Sequence, residues 1–388
     1  MNSGYLQIEN YHNIFIGLPN TNMKYLNFEL TYLPVVQWKI ILQNNNKCNI
    51  ITSDDKYSFD IYNLKNPYLL AYKYSNSINQ IFNYKYISNN KIQIWHESNP
   101  NNIGFNNLPY LILNIISENN LCNIICFNLG YNVILNQVYG SEKSLVSKCQ
   151  KEYNVKGREG WNKKNILSQC SANAMKFLED NNADLFGLQE VPPNKWVNLQ
   201  NYFDNIINKK FEYFIGYGII IGSNLEKLGN GIQITPTNFY IGTSDKRGMM
   251  AVFYPNRGWI VINAHLPHNI DIVKLMNERI KNYIEPYLIQ IGYGSKDVKR
   301  VIIMGDFNDF QGNMNNKYIT AFGKKVQLPN FDIPLTCCDD TNYKFPGDYI
   351  LDTDLNTDIY FGIPPSYVRY KPLMSDHDPV MLLAKFTD

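Results

Sequence analysis

Hydrophobic and polar positions follow two different patterns along the chain, and the change comes near residue 120. Before it, short apolar and aromatic segments such as YLNFELTYL, KCNIITSD, YLLAYKYS and KIQIWHE are bounded by Asn, Pro or Asp, which predicts β-strands joined by turns. After it, strand-like and helix-like segments alternate. Cys122 to Leu129 and Ala183 to Glu190 are nearly continuous apolar runs, as buried strands are. Between them, Ile166, Leu167, Cys170, Ala174, Phe177 and Leu178 recur at helical spacing over 162–181. Further strands are predicted at Gly258 to His265, Arg300 to Asp306 and Pro379 to Phe386, with a helix over about 271–291. Such alternation predicts a layered α/β domain over 120–388, preceded by a smaller β-rich region over 1–119.

Composition changes this picture little. The 388 residues are 45% hydrophobic and 18% charged, enough for a sizeable core. Abundant Asn, Ile, Tyr and Lys suggest AT-rich coding. Seven cysteines, an odd number with no Cys-x-x-Cys, predict mostly reduced, buried thiols, and whether Cys149 and Cys170 pair stays open. The N-terminus has no signal-peptide pattern, and apolar stretches such as Leu108 to Ile116 are too short to span a bilayer. The expectation is a soluble, intracellular (cytoplasmic) protein without stable membrane insertion. Nothing in the pattern specifies an oligomeric state.

Net charge is only +2, but residues 141–176 carry eight basic side chains against three acidic ones. That local field suits a polyanion, although a solvated helix face would read the same way. Residues 1–119 hold no Arg and no carboxylate cluster, so they offer no chemistry.

The chemistry gathers where apolar strands end. Glu190 follows DLFGLQ, His265 follows WIVINA, Asp306 and Asn308 follow VIIMG, and Asp376 and His377 precede PVMLL. Any buried strand must end in something polar, and Asp306-Phe307-Asn308 alone would suit an Asx turn. Four such ends rich in carboxylate, Asn and His predict a site at one edge of a sheet. Carboxylates hold a hard divalent cation, histidines exchange protons, and no Ser, Thr or Cys nucleophile stands in a recognisable motif. The economical reaction is attack of water on a phosphoester.

The strings DLFGLQEV, VINAHLPH, IIMGDFND and SDHDPV resemble, in order, the signatures of the endonuclease/exonuclease/phosphatase (DNase I-like) superfamily. CFNLGYN resembles its opening Asn-bearing strand and GDYIL its late Asp-Tyr strand. The resemblance implies a four-layered α/β sandwich and a Mg2+ or Mn2+ cofactor. It implies Glu190 as main metal ligand, Asn128 beside it contacting substrate, and Asp376 supporting the metal or its waters. Asp306 and Asn308 would orient the attacking water and contact the phosphate. His377, paired with Asp348, would be the general base or the phosphate-binding His, and His265 would stabilise the transition state or assist the leaving group. The Asn-rich composition also resembles members from large DNA viruses.

Core motifs do not name a substrate. MGDFND and PGDYIL depart from the inositol 5-phosphatase strings, and His265 departs from the abasic-site endonucleases. The basic segment, with Lys163 and Lys164 as candidate substrate-binding residues and Tyr153 and Trp161 able to stack on bases, points to a nuclease acting on DNA or RNA. The alternatives are a lipid phosphoesterase, sphingomyelinase-like or phosphoinositide phosphatase, and a catalytically silent binding protein.

Overall fold

The computed structural model describes residues 2–8, 15–17, 25–26, 29–31, 38–43, 45–53, 55–62, 68–75, 77, 80–88, 91–96, 111–117, 120–130, 169–191, 193–241, 247–268, 270–337, 345–356, 358–364 and 375–386. The chain forms two compact units, Met1–Leu121 with Asp388, and Cys122–Thr387. Among the described residues no helix is long and apolar enough to cross a membrane.

The first unit is an 11-stranded sheet of short, mostly antiparallel strands. Its core gathers Trp38, Ile40, Cys48, Ile50, Phe59, Phe82, Ile92 and Leu113, with the Trp38 and Phe59 rings edge to face at 4.9 Å. The Asn run earns its place in a turn. Asn45 and Asn46 take left-handed backbone (φ 61° and 57°), which Asn tolerates, and the turn pairs Trp38–Gln43 with Lys47–Thr52.

The second unit is built from two sheets packed face to face. One sheet carries β1 (Leu121–Asn128), β2 (Leu185–Gln189), β3 (Phe211–Ile215), β4 (Ile219–Asn224), β9 (Asp358–Gly362) and β10 (Val380–Lys385), in the spatial order β3-β4-β2-β1-β10-β9. The other has β5 (Arg247–Tyr254), β6 (Trp259–His265), β7 (Arg300–Asp306) and β8 (Asp348–Asp352) side by side at its centre. Between the sheets, Ile124 and Cys126 of β1 and Leu185 of β2 share a core with Val252, Val261, Ile302 and Met304.

Helices cover both outer faces. Phe177 of α1 (Gln169–Asp180) packs on Phe127, and Phe203 of α2 (Pro193–Ile206) on Phe186. Ile272 and Met276 of α3 (Ile272–Arg279) join Ile260, Ile262 and Ile303 on the far side of the other sheet. The layers run helix, sheet, sheet, helix, so this unit is a four-layered α/β sandwich.

The helix expected over 271–291 is α3, a π-helical turn at Ile280–Ile284 and α4 (Glu285–Gln290), so its hydrogen-bond ladder shifts by one residue in the middle. Burial of Ile280, Ile284 and Leu288 on the same core shows why the turn persists. Of the five described cysteines, Cys48, Cys122 and Cys126 are free and buried, as expected of most of the thiols, and Cys170 and Cys337 are each disulfide-bonded. Cys149 lies outside the described residues.

Candidate active site

Strand direction brings the polar ends together. β1 and β2 are parallel, so Asn128 and Gln189 are register partners and Glu190 follows at the same edge. β6 and β7 are also parallel, with His265 opposite Asp306. β8 runs antiparallel to β7 and starts where β7 stops, which sets Asp348 opposite Asp306. Strands neighbour one another at about 4.8 Å, so His265, Asp306 and Asp348 form one row across the sheet. His377 enters just before β10. Its Nδ1 is 2.8 Å from Asp348 Oδ2, and its Nε2 is 4.0 Å from Asp306 Oδ2.

Asn128 joins the two sheets at the site. Its Nδ2 donates to Asp306 Oδ2 (2.9 Å) and Glu190 Oε1 (3.3 Å) and lies 3.5 Å from His377 Nε2. Its Oδ1 accepts from Gly130 N. His265 Nε2 lies 3.4 Å from Asp306 Oδ2 and 3.6 Å from Glu190 Oε1. The Asx turn exists as well: Asn308 N donates to Asp306 Oδ1 at 2.9 Å. One oxygen of Asp306 therefore fixes the local turn while the other faces the cluster. Asn308 Nδ2 donates to Leu266 O, which locks its amide beside the strand ends.

The backbone is left-handed at both ends of this cluster. Asn tolerates this at Asn308 (φ 48°), but at Glu190 (φ 59°) it costs roughly 1–3 kcal/mol that packing must hold. Gly305 has φ 154°, and a Cβ there would lie 1.8 Å from Ala264 O, so only glycine lets β7 deliver Asp306.

Burial and neighbouring charge set the electrostatics. Burial pushes Asp306 up to about 7; His377 opposes this, while Asp348 and Glu190 add to it. Burial alone would lower His377, but the carboxylates of Asp348 and Asp306 outweigh it and hold the imidazole well above its ordinary value. His265 goes the other way: burial first, then the Arg247 guanidinium, keep it well below. The two histidines are thus driven apart, one towards the cation and one towards neutrality.

Among the described residues, two sets of three ligand atoms lie close enough to share a cation: Glu190 with His265 and Asp306, and Asp306 with Asp348 and His377. Asp348 Oδ1 is buried with no hydrogen-bond partner, and Asp306 resists ionisation without a cation, so this donor set fits a hard divalent ion. Asp376 is in neither set among the described residues. It is half-buried, its Oδ1 lies 3.3 Å from Ser375 Oγ, and it adds to the charge that favours protonated His377. Lys163 and Lys164 lie outside the described residues, and Lys176 of the basic segment is engaged by Glu179 and Asp180 on its own helix.

Several residues that the sequence does not single out serve the site. Arg247, at the start of β5, contacts His265 Nε2 through Nη1 and lies 3.3 Å from His268 Nε2 through Nη2. Only the pairing of β5 with β6 brings it there; the hint in the sequence is one Arg beginning an apolar run. Thr336 Oγ1 accepts from the N–H groups of Gly347 and Asp348 and so seats Asp348. Ser375 Oγ donates to Asn128 O and accepts from His377 N. Gln189 donates to Asn263 Oδ1 (2.7 Å), and Asn263 donates back to Leu188 O and Ile220 O, tying the sheets together beneath Glu190 and His265.

The chain is similar in fold to solved structures of endonuclease/exonuclease/phosphatase proteins. One is ANGEL2, described as a 2′,3′-cyclic phosphatase, at 12% identity over 68% of this chain and 94% of that one, with a TM-score of 0.44. A second is the endonuclease/exonuclease/phosphatase protein of Bacteroides vulgatus, at 14% over 69% and 99%, TM-score 0.40. A third is D. rerio TDP2 complexed with a single-strand DNA product, at 14% over 68% and 98%, TM-score 0.40. No family model matches the chain, and no curated protein matches it.

Proposed function

We propose that the unit over 122–387 is a divalent-metal-dependent phosphoric ester hydrolase that uses water to cleave phosphodiester bonds, with nucleic acid as the substrate class. The observation that carries this reading is the convergence on Asp306 of Asn128, His265, Asp348 and His377, from strand ends of two sheets. Glu190 and Asp306 would hold the cation, Mg2+ or Mn2+, whose charge would neutralise the phosphoester and stabilise its transition state.

The protein's own groups then have distinct work. Asp348 fixes the His377 ring through Nδ1, which turns Nε2, 3.4 Å from Cys337 Sγ and 3.5 Å from Asn128 Nδ2, towards the cluster, where it would exchange a proton with the reacting oxygen. Asp306 and Asn308 orient the attacking water. His265, kept neutral, and Arg247 beside it face the developing charge on the phosphoryl oxygens. Asn128 holds Glu190 of its own sheet and Asp306 of the facing one in place. Asp376 acts through His377. Lys163 and Lys164, in the basic segment 141–176, would track the phosphate backbone, as an excess of eight cations over three anions suits a polyanion.

The experiment is a substrate panel with Mg2+, Mn2+ and EDTA: single- and double-stranded DNA, RNA, a phosphoinositide and sphingomyelin. Metal-dependent cleavage of a nucleic acid is the expected result. Cleavage of a lipid alone would overturn the substrate class, and no cleavage of any ester by folded protein would overturn the reaction.

A further inference from the structure

Beside Asn308 the chain turns through Asp309 to Asn313 and leaves a cavity of about 270 Å3. Ile270 and Ile272 line it together with Asn308, Asp309, Phe310, Gln311 and Asn313. Asn308 belongs to both the cavity and the cluster described above, so whatever fills the cavity sits next to the reacting phosphate. The residues outside that cluster have no part in the proposed reaction.

We propose that this cavity is a nucleobase subsite, taking the base attached to the phosphate under attack. This rests on the phosphoester hydrolase reading above. Size is the first argument: the cavity lies just under the roughly 300 Å3 at which pockets for larger ligands begin, which fits one heteroaromatic ring system and little more. Its lining is the second. Ile270, Ile272 and Phe310 supply apolar contact for a flat ring, while among the described residues the one charged group in the lining is the Asp309 carboxylate, which disfavours an anionic head group.

Phe310 is held rigidly. It packs on Phe345 with ring centroids 4.2 Å apart and on His268 at 5.1 Å, a row of rings that runs from buried Phe345 to exposed His268. Aromatic surfaces next to a phosphate site are how single-stranded bases are gripped.

The polar groups have the form of a base reader. Asp309 is spent on the fold: it accepts from Asn313 Nδ2 (3.0 Å), Met314 N (2.9 Å) and Tyr349 Oη (3.0 Å), and these bonds pin the turn. Asn313 therefore keeps its carbonyl oxygen as an acceptor. The exposed Gln311 amide offers both a donor and an acceptor. Together they match a base that carries an exocyclic amine beside a ring nitrogen, such as adenine.

The test is calorimetric titration of the full chain, with Mn2+ present, using AMP and ribose 5-phosphate, which differ by the base alone. AMP is expected to bind at least tenfold more tightly. Gln311→Trp, which fills the cavity from an exposed turn position, should erase that preference, and Gln311→Ala should reduce it several-fold. Far-UV circular dichroism checks that each variant is folded. Equal affinities in the unsubstituted protein, or a preference that survives Gln311→Trp, would overturn the proposal. Hydrolysis of bis-p-nitrophenyl phosphate, which has no base, reads the reaction separately. Turnover without base preference sinks the subsite alone; base preference without turnover sinks the reaction alone.

Discussion

Asp348 and His377 meet through a 2.8 Å contact between Oδ2 and Nδ1, although 29 residues separate them in sequence. Thr336 seats the Asp348 backbone and Ser375 that of His377, so both partners are fixed from outside the pair. Asp348→Asn keeps the shape but loses the charge and frees the ring to present the wrong nitrogen. We expect kcat to fall by about a hundredfold or more, the usual worth of positioned acid–base catalysis, with KM little changed. Steady-state kinetics on bis-p-nitrophenyl phosphate checks it.

Asn128 ties Glu190 of its own sheet to Asp306 of the facing one without being charged itself. Asn128→Ala should weaken Mn2+ binding by roughly 10–100-fold, as for other residues that orient metal ligands. A Mn2+ titration followed by calorimetry measures this, and unchanged affinity would remove Asn128 from the account.

Arg247 touches His265 and His268. Facing the charge that develops on the phosphoryl oxygens, it loses a charged hydrogen bond of about 1.5–3 kcal/mol in Arg247→Gln. That is on the order of a tenfold to hundredfold drop in kcat/KM, expected mainly as a lowered kcat. A change confined to thermal stability would give Arg247 a purely structural role.

Away from the site, Arg300 is buried between Asp352 and Asp358 and lies over the Trp259 ring. Arg300→Met leaves the buried Asp352 carboxylate without its cation and should cost about 3–5 kcal/mol, read by urea denaturation. The pair also predicts a pH effect. Burial, then Asp352, pushes Asp358 up to about 8, with Arg300 opposing. A carboxyl raised in the folded state contributes stability that is fully present below its unfolded value near 4 and is lost as pH rises through about 8. Asp358→Asn should therefore gain Tm over the unsubstituted protein at pH 8.5 and gain much less at pH 4.5. An equal gain at both would refute the shift.

What the sequence makes legible follows from local physics. The apolar runs that become β1, β2, β6, β7 and β10 stand out because a strand buried on both faces must be apolar throughout. Their polar ends then mark the site edge before any packing is known. The helix Pro193–Ile206 is harder to see: Trp196, Leu199 and Phe203 are buried at helical spacing, but Asn and Gln between them blur the stripe. Arg247, Thr336, Gln189 and Asn263 escape for another reason. Each acts through partners 11 to 75 residues distant, so only the pairing of strands and sheets reveals its role. The π-helical turn at Ile280–Ile284 has no mark in the sequence at all.

The central claim is that Glu190 and Asp306 hold a divalent cation needed for phosphodiester hydrolysis. The most direct measurement is the initial rate on bis-p-nitrophenyl phosphate with Mn2+, after EDTA, and after Mn2+ is restored in excess. The account predicts turnover that EDTA abolishes and Mn2+ restores, and that Glu190→Gln recovers only at higher Mn2+. Turnover indifferent to EDTA, or none from folded protein saturated with Mn2+, would contradict it.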